Sequence, residues 1–328
     1  ANISGNITSD GFNLHVSARM LHEDLQIDSF SYLPNTKLDT DFRIQKKGNT
    51  LLLHNVALSD SDFNALISGT ISLHTNNLNL QFSSKISNIH DFTKKISRDI
   101  SEQIQEYALQ GNIQISGTIQ GAFDSKNSPA LSTQYAIENG SFIYNSEKIT
   151  FASKGAITSN SITKLSHYSL YKASVTCAYT QNEFDGVISL LNFEAPELEI
   201  DGKLFCDLKS IHDFIDTEGY KITGKTWSNI YWKGKFSAWN TINESFFTST
   251  KSKISCNVES ISIESPPESP YSFSNISGKI HADNHTVTID SLTGILHESP
   301  FEISGTVSNF IASFFVPDQK VHYTLTTA

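Results

Sequence analysis

The sequence predicts a mainly β protein, built as an antiparallel sheet of many strands that repeats along one axis. Three observations predict it. Apolar residues alternate with polar ones at a period of two, as in Ile113, Ile115, Gly117, Ile119, Gly121 and Phe123 against Gln114, Ser116, Thr118 and Gln120. Ser, Thr and Asn carry most of the polar load, while only 18% of residues are charged, a balance that favours strands and turns over helices. A five-residue string recurs: "ISGNI" at 3–7, "ISGTI" at 67–71 and again at 115–119, "ISGKI" at 276–280 and "ISGTV" at 303–307, with a weaker "ITGKT" at 222–226.

The elements follow in order. "LNLQF" alternates Leu78, Leu80 and Phe82, and "TVTID" alternates Val287 and Ile289. Turn signals separate such runs at "KKGN" (46–49), "HTNN" (74–77), "ENGS" (138–141) and "HADN" (281–284), so short hairpins are expected there. Helical spacing interrupts the pattern once at length, with Phe92, Ile96, Ile100, Ile104 and Tyr107 defining a helix near 90–108 whose start Asn88 or Asp91 caps. Shorter helices are expected at 210–216 ("SIHDFID") and 308–315 ("SNFIASFF").

Repeats organise the chain. "IHDF" occurs at 89–92 and at 211–214, each time after a strand and before a glycine-centred one. A longer echo aligns 22–71 with 258–307 without gaps. The expectation is one continuous quasi-repetitive region over 1–328, with sub-repeats near 1–119, 120–226 and 227–328. In every copy of the string, apolar residues flank glycine at two positions on either side, so Gly5, Gly69, Gly117, Gly278 and Gly305 point to the apolar face. Glycine is unfavourable inside a strand, which leaves two accounts. Either the glycines let the sheet curl with its apolar face inward, or a neighbouring side chain fills each notch in an ordinary β-sandwich.

Composition excludes several function classes. The net charge of −10 and the lack of a Lys/Arg run argue against nucleic acid as a partner. Three cysteines, Cys177, Cys206 and Cys256, show no metal-binding spacing and read as packed thiols, with one disulfide left open. No apolar run approaches the roughly 18–20 residues that span a membrane. Because the chain starts and ends in mid-pattern, a longer parent protein carrying any targeting segment is expected. No hydrolase, kinase, zinc-protease or dinucleotide motif is present, so no catalytic residue, cofactor or metal is assigned and the expected protein is not an enzyme. "HADNH" (His281, His285) reads as a hairpin tip, "SDSDF" (59–63) as a solvated turn, and His90 and His212 as helix-start residues beside Asp91 and Asp213. The one aromatic concentration is 225–240, with Trp227, Tyr231, Trp232, Phe236 and Trp239; it fits a sheet core, a membrane interface or sugar stacking. Trp227 and Tyr231 share one strand face and Trp232 takes the other.

Three longer segments carry a family likeness. "GNIQISGTIQGAFDSKNSPALSTQYAIENGSFIY" (111–144), "GVISLLNFEAPELEIDGKLFCDLKSIHDF" (186–214) and "ISGKIHADNHTVTIDSLTGILHESPFEISGTVSNF" (276–310) resemble, in that order, motifs of the AsmA-like family of bacterial envelope proteins, related to TamB-like lipid-transport proteins. The resemblance implies a long, twisted, taco-like β-groove with an apolar interior. It also implies a periplasmic location, an inner-membrane tether outside this sequence, and phospholipid movement that supports outer-membrane biogenesis. The family's N-terminal anchor is not matched here. On this reading Leu78, Leu80, Phe82, Ile113, Ile115, Ile119, Phe123, Val287, Ile289, Phe301, Ile303 and Val307 line the groove and the five string glycines set its curvature. Phospholipid is the expected partner, together with inner- and outer-membrane components. The alternative expectation is a structural or adhesive β-repeat module that binds protein or glycan through its sheet edges or the Trp-rich stretch.

Overall fold

A computed structural model describes the chain except residues 23–24, 28–29, 33–35, 94–107, 145, 213–219, 236–248, 267–271 and 314–319. The described chain is mainly β, with twenty strands and a few short helices. It divides into two compact units, Ala1–Ala173 and Ser174–Ala328.

The first unit is an antiparallel meander. Its strands are β1 (Asn2–Thr8), β2 (Gly11–His22), β5 (Thr36–Lys47), β6 (Thr50–Ser59), β7 (Phe63–Ser72), β8 (Asn77–Ile86), β9 (Gln110–Ala122), β10 (Ala130–Tyr144) and β11 (Glu147–Ser159). Each pairs with the next in that order. A small hairpin of β3 (Leu25–Ile27) and β4 (Phe30–Tyr32) is inserted between β2 and β5. Strand β12 (Tyr168–Tyr179) runs across the boundary between the units.

The second unit repeats the meander with β13 (Asn182–Leu191), β14 (Glu197–Asp207), β15 (Lys221–Lys235), β16 (Lys251–Glu264), β17 (Phe273–Asp283), β18 (Thr286–Leu296), β19 (Ser299–Ser308) and β20 (His322–Thr327). Again each pairs with its successor. The boundaries expected near 119 and 226 fall inside β9 and β15.

Hairpin chemistry accounts for the ladders. Gly48, at φ 56°, turns β5 into β6, and Asn76, at φ 50°, precedes β8. At the tip between β17 and β18, Asp283 Oδ1 accepts the backbone N–H groups of His285 and Thr286, both at 2.8 Å, which closes an Asx-type turn. "ENGS" is a correction. It makes no turn but lies inside β10 as a bulge, where Asn139 sits at φ 52° and the register shifts between Ile137 and Gly140. The residues that suit a turn also suit a bulge, because both need a left-handed backbone.

Three short α-helices are described, α1 (Ile89–Thr93), α2 (Leu208–His212) and α3 (Phe310–Ser313), with one 3-10 turn at Leu165–His167. Asn88 is the cap of α1: its Oδ1 accepts the Asp91 N–H at 3.3 Å and its Nδ2 donates to Asp91 Oδ2 at 2.6 Å. His90 lies within α1 rather than at its cap. The expected continuation to 108 lies outside the described residues, as do 213–216 and 314–315. Both "IHDF" copies follow a strand, β8 and β14: the first opens α1, and Ile211 and His212 of the second are the last described residues of α2.

The echo between 22–71 and 258–307 is a structural repeat at the level of register. Strand β7 shifted by 236 gives the bounds of β19, and every β6–β7 pair, shifted likewise, is a β18–β19 pair. Leu53 opposite Gly69 becomes Ile289 opposite Gly305, and Val56 opposite Ile67 becomes Leu292 opposite Ile303.

Candidate functional site: an apolar strand face

Directly opposed residues of an antiparallel pair point to the same face, so register builds the face residue by residue. In the first unit one row crosses nine strands: Gly5, Leu14, Ile44, Leu53, Gly69, Leu80, Ile119, Leu131 and Ser159. A neighbouring row brings Ile67, Phe82 and Gly117 together. In the second unit a row crosses eight strands: Gly186, Gly202, Ile230, Ile254, Ala282, Val287, Val307 and Tyr323. The next row carries Ile280, Ile289, Gly305 and Leu325. These four rows carry no charged side chain. In a third row of the first unit, Lys46 stands between Phe12 and Leu51, beside the β5–β6 hairpin.

Of the twelve lining residues read from the sequence, eleven sit in strands on these faces and all eleven are partly exposed. Phe123 departs from the expectation. Strand β9 ends at Ala122, so the alternation stops one residue early and Phe123 is 53% exposed in the following turn. Sequence reading missed Leu14, Ile44 and Leu53, together with Ile188, Ile200, Ile230 and Ile254. "FRI" and "ISL" hold the same alternation over shorter runs.

Burial separates the ends of the face from its middle. Leu38, Phe63 and Ile86 form a buried cluster with Phe92 and Ile113 packed against it, and Phe63 meets Phe92 edge-on at 5.5 Å. Phe92 and the buried Ile89 belong to α1, so this helix closes one end of the first face. In the second unit Cys206 on β14 and Val258 on β16 are buried, and α2 packs on β15 and β14. Between such ends Leu53, Leu80, Ile119, Ile230, Ile254 and Val287 all remain partly exposed. A second sheet packed on these residues, as in a β-sandwich, would bury them as a core.

The glycines divide into two kinds. Gly69, Gly278 and Gly305 have φ of 138°, 153° and 136°. Each stands one residue from a place where the preceding strand has an extra residue: His54–Asn55 opposes Ser68, Glu259–Ser260 opposes Ser277, and Asp290–Ser291 opposes Ser304. Asn55 and Ser260 are left-handed, at φ 48° and 50°. The Ser277 Oγ accepts the Ser260 N–H at 3.0 Å, which satisfies one donor that the bulge takes out of the ladder. Gly5 and Gly117 have ordinary extended backbone, and the β8–β9 register runs through Gly117 without a shift. Over Gly117 lies the Phe82 ring, its Cζ 3.0 Å from where a Cβ would stand. Phe151, Phe184, Trp232 and Phe301 similarly cover Gly140, Gly202, Gly234 and Gly294. Many notches are thus filled by an aromatic ring from the chain itself.

The Trp-rich strand splits between faces as its alternation requires. Trp232 is buried at 8% exposure beside Ile200, over Gly234. Trp227 is 40% exposed on the opposite face and packs on Phe205 at 5.2 Å. Further along the same face Lys233 reaches Glu199 at 3.2 Å and Glu197 at 3.4 Å, and the Glu199 hydrogen bond, foremost, raises its ammonium pKa. Tyr231 shares that face; burial, more than the nearby Glu199, raises its hydroxyl pKa. Trp239 lies outside the described residues.

The other candidates resolve as local structure. His281 pairs with Asp290 at 3.1 Å across the β17–β18 ladder, away from His285 at the tip. Cys177, Cys206 and Cys256 are free thiols, and burial raises the pKa of Cys177 and Cys206. Among the described residues, no helix is long and apolar enough to cross a membrane. No family model matches the chain, and no curated protein or solved structure matches it either.

Proposed function

We propose that the apolar strand faces hold the acyl chains of phospholipid and let them slide along the strands, without enzymatic chemistry. One observation carries this reading: rows of apolar side chains cross eight or nine strands in register, yet their middle members stay partly exposed. Apolar surface left in water is unfavourable by about 25 cal/mol per Å², and contiguous patches of this kind mark binding surfaces. Acyl chains suit it because the rows are uncharged and offer no directional polar clamp. The sequence likeness to AsmA-like proteins supports the same reading and extends it to a periplasmic segment that serves outer-membrane biogenesis, held at the inner membrane by chain outside this sequence.

The test is native mass spectrometry of the purified chain. Phospholipid adducts are expected on the wild type and are expected to disappear in Leu80→Lys. They should persist in Gln120→Lys, which places the same charge on the opposite face. Absence of lipid from the wild type, or equal loss in both variants, would refute the reading.

A second reading has one specific observation in its favour: Trp227 presents an exposed ring on the polar face. Glycan binding lost in Trp227→Ala but kept in Leu80→Lys would support an adhesive module instead.

A further inference from the structure

The face opposite the apolar rows of the second unit carries a polar hollow. Its cavity of about 550 Å³ opens to solvent above β14 to β18. Register builds it around the Ile230–Ile254–Ala282 row, whose side chains point to the apolar face and whose backbone floors the hollow. On one side of that row Asp201, Tyr231, Lys253 and Asp283 stand opposite one another in turn, and on the other side Asn229, Ser255 and His281 do. Ser255 has the shortest side chain of the seven, and the longer ones around it make the walls.

The hollow holds polar groups that the protein does not use. Elsewhere on this face Lys233 is held by Glu199 and Glu197, and at the rim His281 is held by Asp290. Among the described residues, Asp201, Asn229, Lys253 and Ser255 make no hydrogen bond or ion pair. Asp283 faces Lys253 in register, yet its Oδ1 accepts the N–H groups of His285 and Thr286 instead. Tyr231 has its hydroxyl beside Glu199, which does not line the hollow, so its ring forms the wall.

These groups narrow the ligand class. Two carboxylates against one ammonium leave no net positive charge, which disfavours a phosphate or other anion. An extended peptide needs a free sheet edge, and β14 to β18 are each paired on both sides. A neutral sugar fits. Each of its hydroxyls donates and accepts, which matches Asp201, Asn229 and Lys253, and its apolar C–H face suits an aromatic ring such as that of Tyr231.

We propose that this hollow binds a neutral oligosaccharide, with Tyr231 against a sugar ring and Asp201, Asn229 and Lys253 on its hydroxyls. The site is separate from the lipid face, and from the exposed Trp227 ring, which lies outside the hollow.

Isothermal titration calorimetry of the full chain with maltohexaose, cellohexaose and chitohexaose tests it. At least one of the three should bind. Lys253→Ala and Tyr231→Leu should each weaken that binding by about tenfold or more, the scale of one stacked ring or one charged hydrogen bond. Tyr231→Phe, which keeps the ring, and Lys225→Ala, on the same face but outside the hollow, should bind like the wild type. Lys253 is exposed and unpaired, so its variant should keep the far-UV circular dichroism and the phospholipid adducts of the wild type. Binding of none of the three sugars would overturn the proposal. So would binding that is lost in Trp227→Ala but unchanged in Lys253→Ala and Tyr231→Leu, which would place the sugar on the exposed tryptophan.

Discussion

Residues 67–71 and 115–119 are the same five amino acids, Ile-Ser-Gly-Thr-Ile, in two different backbones. In the first, Gly69 is held at φ 138° beside a bulge in β6. In the second, Gly117 is ordinary strand under the Phe82 ring. The cause lies one strand upstream. Strand β6 reads Leu53-His54-Asn55-Val56, with two polar residues between apolar ones, and a period of two cannot place both apolar residues inward unless one residue is extruded. Strand β8 keeps strict alternation through Leu78, Leu80 and Phe82 and needs no bulge. The conformation of the string is therefore imposed by its partner.

Removing the extra residue should break the comparison most. Deleting Asn55 leaves Leu53-His54-Val56 in strict alternation, so both apolar residues stay on one face, β6 pairs with β7 without a bulge, and Gly69 is drawn from φ 138° into ordinary strand like Gly117. In that background the Gly69→Ala loss should fall to that of Gly117→Ala by urea denaturation, because the strained backbone state is no longer required.

Next in size is Gly69→Ala. A Cβ there stands 2.1 Å from the Asn79 carbonyl oxygen and 2.9 Å from Leu80 Cα, and the backbone lies where side-chain-bearing residues are strained, at about 1–3 kcal/mol. Gly117→Ala also meets a carbonyl oxygen, that of Ser132 at 2.3 Å, but its third neighbour is a side chain, the Phe82 ring, rather than backbone. A double-mutant cycle sharpens the contrast: Phe82→Leu should recover about 0.5–1 kcal/mol of the Gly117→Ala loss and none of the Gly69→Ala loss.

Smaller again is Asn55→Val. A β-branched residue resists the left-handed backbone and should cost about 1–2 kcal/mol, whereas Asn55→Gly should be close to neutral in thermal melts. Phe82→Leu alone should be milder than Asn55→Val, below about 1.5 kcal/mol, because the ring is only partly buried.

The strand content and the apolar faces were legible in the sequence because alternation is a local signal. Ile113, Ile115 and Ile119 could be assigned to one side from their spacing alone. The bulges were equally present as apolar–polar–polar–apolar slips at Leu53–Val56, Val258–Ile261 and Ile289–Leu292, but they acquire meaning only once the partner strand is known. "ENGS" was misread for a related reason: Asn and Gly suit a hairpin tip and a bulge alike, and only the ladder of β10 with β9 and β11 distinguishes them. What fills each glycine notch depends on a ring from an adjacent strand or two residues away, as with Phe82 and Trp232, and cross-strand contact is not encoded in local order.

Photocrosslinking from two adjacent positions tests the central claim most directly. Leu80 lies on the apolar face and Gln81 on the opposite one, and a benzophenone amino acid at each samples the two faces of the same strand. Labelling in the presence of phospholipid vesicles should give lipid adducts from position 80 and none from position 81. Adducts from position 80 to other parts of the same chain, with no lipid attached, would show a packed interior and contradict the account.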